Sequence, residues 1–265
     1  MTNPGLSVLA HDVMRTCTMV TCEAIDRDST VTGVVRLVAM TARFADDSAR
    51  FAARNSSSEL QPACRRGCTS CCHLHVVSIA AEVMAIASQL RSTLSEVDLD
   101  ALKERLNQHV DATRGLPADG CRRLRIPCPL LDEQGDCLAY ASRPITCRGW
   151  NSLDASLCDA DHREPSQGTP AKLNLAQYLL AGRILEGLAA GLHTRRLDHR
   201  RLDLVRALKV ILESAESARE WRKGTRIFES TVNDLVFPDS DDAEVSSARQ
   251  ILWKTLGPEF ASTAS

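Results

Sequence analysis

The chain has 265 residues, enough for one large domain or for a core domain with helical extensions. Hydrophobic residues at 44% and charged residues at 25% are typical of a globular chain and exclude a disordered or collagen-like protein. The 32 Lys and Arg residues are offset by 34 Asp and Glu residues, which gives a net charge of -2. Because a phosphate backbone is bound chiefly by a surplus of basic residues, we do not expect nucleic acid to be the main partner.

Residues 1–10 contain no basic group, and His11, Asp12 and Arg15 interrupt any apolar run, so we expect no secretory signal. No stretch reaches the roughly 18 apolar residues that a membrane span needs. We therefore predict a cytoplasmic protein with no membrane partner, in which thiols stay reduced.

Helices are predicted along most of the chain, because aromatic residues are only 4% and apolar residues recur at spacings of three and four. The first predicted helix ends before the polar run 55–58 and has an apolar face of Val34, Leu37, Val38 and Phe44. The second has Ser78 as its N-cap and an apolar face of Ile79, Val83, Ile86 and Leu90. The third begins at a capping box formed by Ser95 and Asp98, stops by Gly115 and Pro117, and has an apolar face of Leu99, Leu102 and Leu106.

The C-terminal part is predicted to begin with a linker over residues 162–170. Two helices are predicted to follow. The apolar residues of the first are Leu173, Leu180, Ile184 and Leu188, and those of the second are Leu202, Val205, Leu208 and Leu212. Residues 237–242 break the pattern before a last short helix around Ile251. The basic run 193–201 is expected to form a solvated helix face paired with Asp198 and Asp203, with binding of an acidic partner such as RNA as the alternative.

The cysteines are the exception to this ordinary composition. Of the 11 cysteines, nine fall between Cys64 and Cys158, and none follows Cys158. The segments that carry them are irregular and poor in apolar residues, so bound metal is the expected source of their shape. We predict a mainly α-helical fold that encloses this metal-stabilised segment. The predicted regions are residues 1–60, a helical region; 61–160, the cysteine-cluster domain; and 161–265, a second helical region.

The spacing within the cysteine segment is typical of metal ligands. Gaps of two or three residues separate the first group, Cys64, Cys68, Cys71 and Cys72, and Gly67 is suited to the turn between the first two. A second group, Cys128, Cys137, Cys147 and Cys158, is too widely spaced for one knuckle and has to fold onto the first. Neighbouring residues such as Cys71 and Cys72 point apart, which favours two metals or a polynuclear cluster.

The charge of these eight thiolates requires cations nearby. Eight thiolates and two zinc ions would carry a net charge of about -4, from -8 and +4. Arginines that lie close in sequence are expected to donate hydrogen bonds to sulfur; they are Arg65, Arg66, Arg122, Arg123, Arg125, Arg143 and Arg148. For His73 and His75 three roles remain possible from the sequence: metal ligands, hydrogen-bond donors to the ligands, or packing residues. Cys17, Cys22 and Cys121 are expected to be core or incidental thiols.

The ordered pattern resembles a bacterial family of cysteine-cluster proteins, known as CxxCxxCC or YkgJ-type. Its elements here include Cys64-x3-Cys68-x2-Cys71-Cys72, then Cys128-Pro129-x-Leu131, Gly135-x-Cys137, Tyr140, Arg143-Pro144, Cys147-Arg148 and Cys158. The resemblance covers roughly residues 62–158 and implies a zinc- or iron-chelating domain. The ligands it implies are Cys64, Cys68, Cys71, Cys72, Cys128, Cys137, Cys147 and Cys158. Thr69 stands where many members have glycine.

Two functions remain open from the sequence. The first is a metal-binding module for zinc or iron, with no catalytic group of its own and with a protein partner unidentified. The second is an iron–sulfur enzyme, such as a lysine N-methyltransferase resembling flagellin N-methylases, which share the cysteine pattern. Cys64-x3-Cys68-x2-Cys71 also spells the motif of radical S-adenosylmethionine enzymes. However, the alternating strands of their barrel are not predicted here, and Cys72 adds an adjacent fourth sulfur.

Overall fold

The computed structural model describes residues 4–28, 30–54, 61–65, 67–117, 120–165, 172–214 and 216–228. It begins with two long helices, α1 over Pro4–Arg27 and α2 over Val31–Arg54. Helix α2 matches the first predicted helix and ends, as predicted, before residue 55. Val34, Leu37 and Val38 of the predicted apolar face are buried, whereas the placement of Phe44 on that face is wrong, because its side chain is exposed. The polar run 55–58, the break at 237–242 and the predicted helix around Ile251 lie outside the described residues.

A small sheet connects the middle of the chain to its C-terminal part. Strand β1, Val77–Ile79, pairs antiparallel with strand β2, Arg201–Asp203, so that Ser78 lies opposite Leu202. This is the only sheet among the described residues. The predominantly helical fold class predicted from the composition is therefore confirmed.

Helix α3, Ala80–Thr93, begins directly after β1. The prediction of Ser78 as its N-cap is wrong, because Ser78 lies in the strand and Ile79 occupies the N-cap position. The buried carboxylate of Glu82 replaces the hydroxyl as the capping group. It accepts hydrogen bonds from the N–H of Ile79 at 3.2 Å and from the Ser78 hydroxyl at 2.9 Å.

Helix α4, Glu96–Ala112, has the N-terminus that the sequence predicts. The hydroxyl of Ser95 accepts a hydrogen bond from the N–H of Asp98 at 3.2 Å. Its apolar face is buried at Leu102 and Leu106. The helix stops before Gly115, whose φ of 73° is unfavourable for residues with a side chain.

The cysteine segment folds into short elements between the long helices. They are a 3-10 turn at Ser70–His73, α5 at Gly120–Arg123, a 3-10 turn at Tyr140–Ser142, α6 at Ile145–Gly149 and α7 at Ala155–Arg163. Helix α7 extends into the predicted linker over 162–170, and residues 166–170 of that linker lie outside the described residues.

The C-terminal helices begin later than the apolar spacing predicts. Helix α8 spans Leu175–Thr194, because the side chain of Asn174 accepts a hydrogen bond from the N–H of Gln177 and caps the helix after Leu173. Helix α9 spans Leu204–Glu213, and Leu202 belongs to β2 instead. Helix α10, Ser217–Arg222, completes the described chain.

The core is continuous from α1 to the end of the described chain. Helix α8 packs along α1, and α9 packs on α3 and α4. The largest fully buried side chains at the C-terminal end are Trp221 and Phe228. No helix among the described residues has the length and apolar character needed to cross a membrane.

The basic run 193–201 does not form the predicted helix face. Helix α8 ends at Thr194, Arg196 adopts a left-handed backbone with φ of 57°, and the run then enters β2. Asp198 does pair with a residue of this run, since its carboxylate accepts hydrogen bonds from Arg200 at 2.8 and 2.7 Å. Asp203 instead binds His75 and the main chain of Arg206.

Candidate metal centre

The first four cysteines lie on a tight loop and a 3-10 turn. Gly67 adopts a φ of 80°, which confirms the predicted turn, and the N–H of Cys68 donates to the carbonyl of Arg65 at 3.1 Å. Cys71 and Cys72 follow on the 3-10 turn. The neighbouring thiol of Cys72, together with burial, raises the pKa of Cys71 far above its usual range.

Ser152 anchors the start of this loop. Its main-chain N–H donates to the Sγ atom of Cys64 at 3.2 Å, and its carbonyl accepts from the N–H of Ala63 at 2.7 Å. An N–H directed at a sulfur stabilises a thiolate there. The sequence carries no signal for this role of Ser152, because the hydrogen bonds use only main-chain atoms.

Helix α7 brings Cys158 to the same side of the molecule. The hydroxyl of Ser70 donates to the carboxylate of Asp159 at 3.1 Å, and the rings of His73 and His162 lie 4.3 Å apart. Burial raises the pKa of Cys158, and the thiols of Cys68 and Cys71 raise it further by charge repulsion. Cys158 is therefore an electrostatic neighbour of the first cysteine group.

A knuckle-like turn carries Cys128 and Cys137. The N–H of Leu138 donates to the carbonyl of Leu130 at 2.8 Å, and Gly135 allows the reversal with a φ of 81°. Burial raises the pKa of both thiols, that of Cys128 to about 12. The main chain two residues further on, at Leu130 for Cys128 and at Ala139 for Cys137, opposes this rise. A main-chain group that lowers a thiol pKa also favours the thiolate form that binds metal.

Glu82 positions Cys147. Its side chain is 1% exposed, and its Oε1 atom accepts a hydrogen bond from the N–H of Ile145, the first residue of α6, at 2.7 Å. Burial raises the pKa of Glu82, whereas its hydrogen bonds and the charge of Arg148 oppose that rise. Burial also raises the pKa of Cys147, and charge repulsion from Cys128 and Cys71 adds to the effect.

Cys71 is an electrostatic neighbour of two sets of thiols. A negative charge on Cys71 would raise the pKa of Cys64 and Cys158 in one set and of Cys128 and Cys147 in the other. A main-chain hydrogen bond joins the two sets at Cys72, the residue next to Cys71. The N–H of Cys128 donates to the carbonyl of Cys72 at 2.7 Å. The chain thus brings distant cysteines to a common region.

The thiols surround this region without forming a preassembled site. All of these cysteines are free. Across the described ranges, no three His, Cys, Asp or Glu side chains are placed to hold a metal ion as they stand. Binding would require the thiols to lose their protons and the loops to close around the ion, which couples metal binding to local folding.

The surrounding cations fit an anionic centre. Arg143 opposes the rise in the pKa of Cys71 and Cys137, and Arg105 does the same for Cys128. The Nε atoms of Arg105 and Arg143 are buried and have no hydrogen-bond partner within the described part of the chain. Such atoms are expected to be satisfied when thiolates and metal are in place. The guanidinium of Arg143 also lies 4.3 Å from the ring centre of Tyr140, so these two loop residues pack together.

Other arginines expected near sulfur have different partners. Arg148 donates to the carboxylate of Asp46 at 2.6 Å and to the carbonyls of Ala141 and Arg143. Arg122 pairs with Asp161 at 2.6 Å. Arg66 lies outside the described residues. Arg105 was missed because it lies on α4, remote in sequence from every cysteine group.

The remaining cysteines occupy other places. Cys17 is buried in the hydrophobic core, and burial raises its pKa to about 11. Cys22 lies on α1 and contacts the carbonyl of Gly191. Cys121 is buried on α5. His75 pairs with Asp203 at 2.9 Å.

No curated protein and no solved structure matches this chain. One family model matches a segment that contains all of the eight clustered cysteines predicted as ligands. Residues 63–164 match the CxxCxxCC family, described as a "putative zinc- or iron-chelating domain", which confirms the resemblance predicted from the cysteine spacing and supports metal binding in general.

Proposed function

We propose that this protein binds zinc or iron through eight cysteine thiolates divided between two four-sulfur sites. The proposed ligands are Cys64, Cys68, Cys71, Cys72, Cys128, Cys137, Cys147 and Cys158. The observation that carries this proposal is the hydrogen bond at 2.7 Å from the N–H of Cys128 to the carbonyl of Cys72, which brings the second set of cysteines to the first. Thiolate ligands in sets of four suit zinc and iron–sulfur clusters alike.

The electrostatic neighbours suggest how the ligands divide. One site would take Cys64, Cys68 and Cys158, and the other Cys128, Cys137 and Cys147. The vicinal pair, Cys71 and Cys72, would then supply one sulfur to each site. Because adjacent side chains point in different directions, a vicinal pair serves two centres with less strain than one.

The proposed role of the metal is to hold the cysteine segment together. The loops have little apolar core of their own, and main-chain hydrogen bonds join them at only a few points, such as Ser152 with Ala63 and Cys128 with Cys72. Closed four-sulfur sites are typically structural, because they leave no open position for a substrate. We therefore favour a binding module over an enzyme.

Elemental analysis of protein purified without oxygen tests this proposal. We expect the eight cysteines to hold about two equivalents of zinc in a colourless protein, or iron with sulfide in a brown protein. A brown protein would leave the alternative function, an iron–sulfur enzyme, to be tested. That function requires turnover that depends on the cluster. Protein that binds neither metal, with all eight thiols titratable in the native state, would refute the proposal.

A further inference from the structure

A small cavity borders Cys128, one of the proposed cysteine ligands, and its other polar lining residues are His75, His109, Cys121 and Asp203. Its volume is about 20 Å³. Roughly 10–15 Å³ is enough for one water-sized occupant, so the cavity has room for a single ion. These residues come from separate elements: His75 precedes β1, His109 lies on α4, Cys121 on α5, and Asp203 ends β2.

The histidines have the hydrogen bonds that metal-binding histidines have. The Nδ1 atom of His109 lies 3.1 Å from the carbonyl oxygen of Pro127, which can only accept, so Nδ1 carries the proton and Nε2 has the lone pair. The carboxylate of Asp203 accepts from Nε2 of His75 at 2.9 Å. A carbonyl or carboxylate behind the ring fixes the tautomer and increases the basicity of the other nitrogen.

The charges around the cavity also favour a cation. Burial raises the pKa of Cys121, and the charge of Asp203 raises it further. The same carboxylate acts on His109, where it opposes the lowering of the pKa by burial. Arg206 also acts on both groups, but Asp203 is the stronger influence on each. A divalent ion would neutralise the carboxylate and replace the thiol proton.

We propose that this cavity is a separate binding site for one divalent transition-metal ion, with zinc as the probe. Its ligands are His109 Nε2, Cys121 Sγ and the His75–Asp203 pair. Nitrogen and sulfur ligands select zinc and its neighbours over magnesium or calcium. The walls must move inward on binding, since no three such side chains in the described residues are placed for a metal in the present arrangement.

Zinc stoichiometry in single variants of the full chain tests the site. Each protein is dialysed to equilibrium against buffered zinc, and bound metal is counted by elemental analysis. We expect Cys121→Ser and His109→Gln each to bind one equivalent less than the unmodified protein. Cys17→Ser, which removes another buried thiol, is expected to bind the full amount.

Cys68→Ser separates this proposal from the eight-cysteine site. It is expected to lose metal from the cysteine cluster and to keep the equivalent that depends on Cys121. The proposal is overturned if His109→Gln, whose partly exposed ring makes misfolding a small risk, binds as much zinc as the unmodified protein. It is equally overturned if zinc binding by Cys68→Ser is unaffected when His109→Gln is added.

Discussion

The main-chain N–H of Cys128 donates a 2.7 Å hydrogen bond to the carbonyl oxygen of Cys72. This contact joins the vicinal cysteine pair to the knuckle that carries Cys137. It involves no side chain, so both thiols remain available as ligands. The fold thus brings the cysteine segments together, and we expect metal binding to draw the thiols into their final positions.

Replacement of one proposed ligand should reduce both metal content and local order. We expect Cys68→Ser to lose about half of the metal held by the eight cysteines, because a site with three thiolates binds far more weakly than one with four. The loop 61–65 and the turn after it should then become sensitive to protease. Elemental analysis and limited proteolysis measure the two effects.

Cys17→Ser is the matched control for that variant. Cys17 lies in the core on α1, away from the cysteine groups, and the change to serine should cost some stability without changing metal content. A loss of metal comparable to that in Cys68→Ser would show that the proposed ligand set is wrong.

Arg143 should tune the affinity for metal. Its buried Nε has no partner in the described structure, and its charge acts on Cys71 and Cys137. We expect Arg143→Gln to weaken metal binding about 10–100-fold, the usual range for residues that hydrogen-bond to ligands. Competition with a chelator of known affinity measures the change. Arg36→Gln, on an arginine whose side chain is 68% exposed, serves as the control and should leave affinity unaltered.

Much of the helical architecture follows from apolar spacing and caps. The capping box at Ser95 identifies α4, and the spacing of Val83, Ile86 and Leu90 identifies α3. The errors arise where a long-range partner overrides local preference. Leu202 fits the apolar pattern of α9, yet it pairs with Ser78 in the sheet, an interaction between residues far apart in sequence.

The candidate site could be predicted only in part for a related physical reason. Cysteine spacing marks the ligand types, but Ser152 acts through its main chain and Arg105 comes from a distant helix. Neither contribution leaves a pattern in the sequence. The role of Glu82 could be predicted only in part. A glutamate near the start of a helix suggests capping, but it does not indicate the hydrogen bond from Ile145 that positions α6.

The contact between α1 and α8 depends on the absence of a side chain at Gly187. A Cβ atom there would lie 2.5 Å from the carbonyl oxygen of Met14, which belongs to the backbone and cannot move aside. We expect Gly187→Ala to destabilise the fold by about 1–3 kcal/mol, the typical cost of overpacking. Urea denaturation followed by circular dichroism measures the loss.

Gly182→Ala on the same helix is the control for overpacking. No atom lies within 4 Å of a Cβ added at Gly182, so the substitution should be neutral or stabilise α8 by up to about 1 kcal/mol through helix propensity. If both alanine variants are destabilised equally, close packing against α1 is not the reason that Gly187 matters.

Asp198 should make the stability of the fold depend on pH in the acid range. Its carboxylate is 2% exposed. Burial alone would raise the pKa of Asp198, but the hydrogen bonds from Arg200 outweigh burial and hold the pKa below its usual range. A lowered pKa in the folded state adds stability above the unfolded value, about 4, and that stability is lost as the pH falls through the folded value. At pH 7, Asp198→Asn should therefore be less stable than the unmodified protein by about 1–3 kcal/mol, because charged hydrogen bonds are lost. The difference should begin to shrink below about pH 4, where the carboxylate of the unfolded chain becomes protonated, and it should be lost once the pH falls below the lower pKa of the folded state. Urea midpoints of both proteins at pH 7, 4 and 3 test this, and metal loss in acid affects both alike. Asp100→Asn, at a carboxylate that is 74% exposed, should show no such dependence, and a gap for Asp198→Asn that stays constant with pH would contradict the assignment.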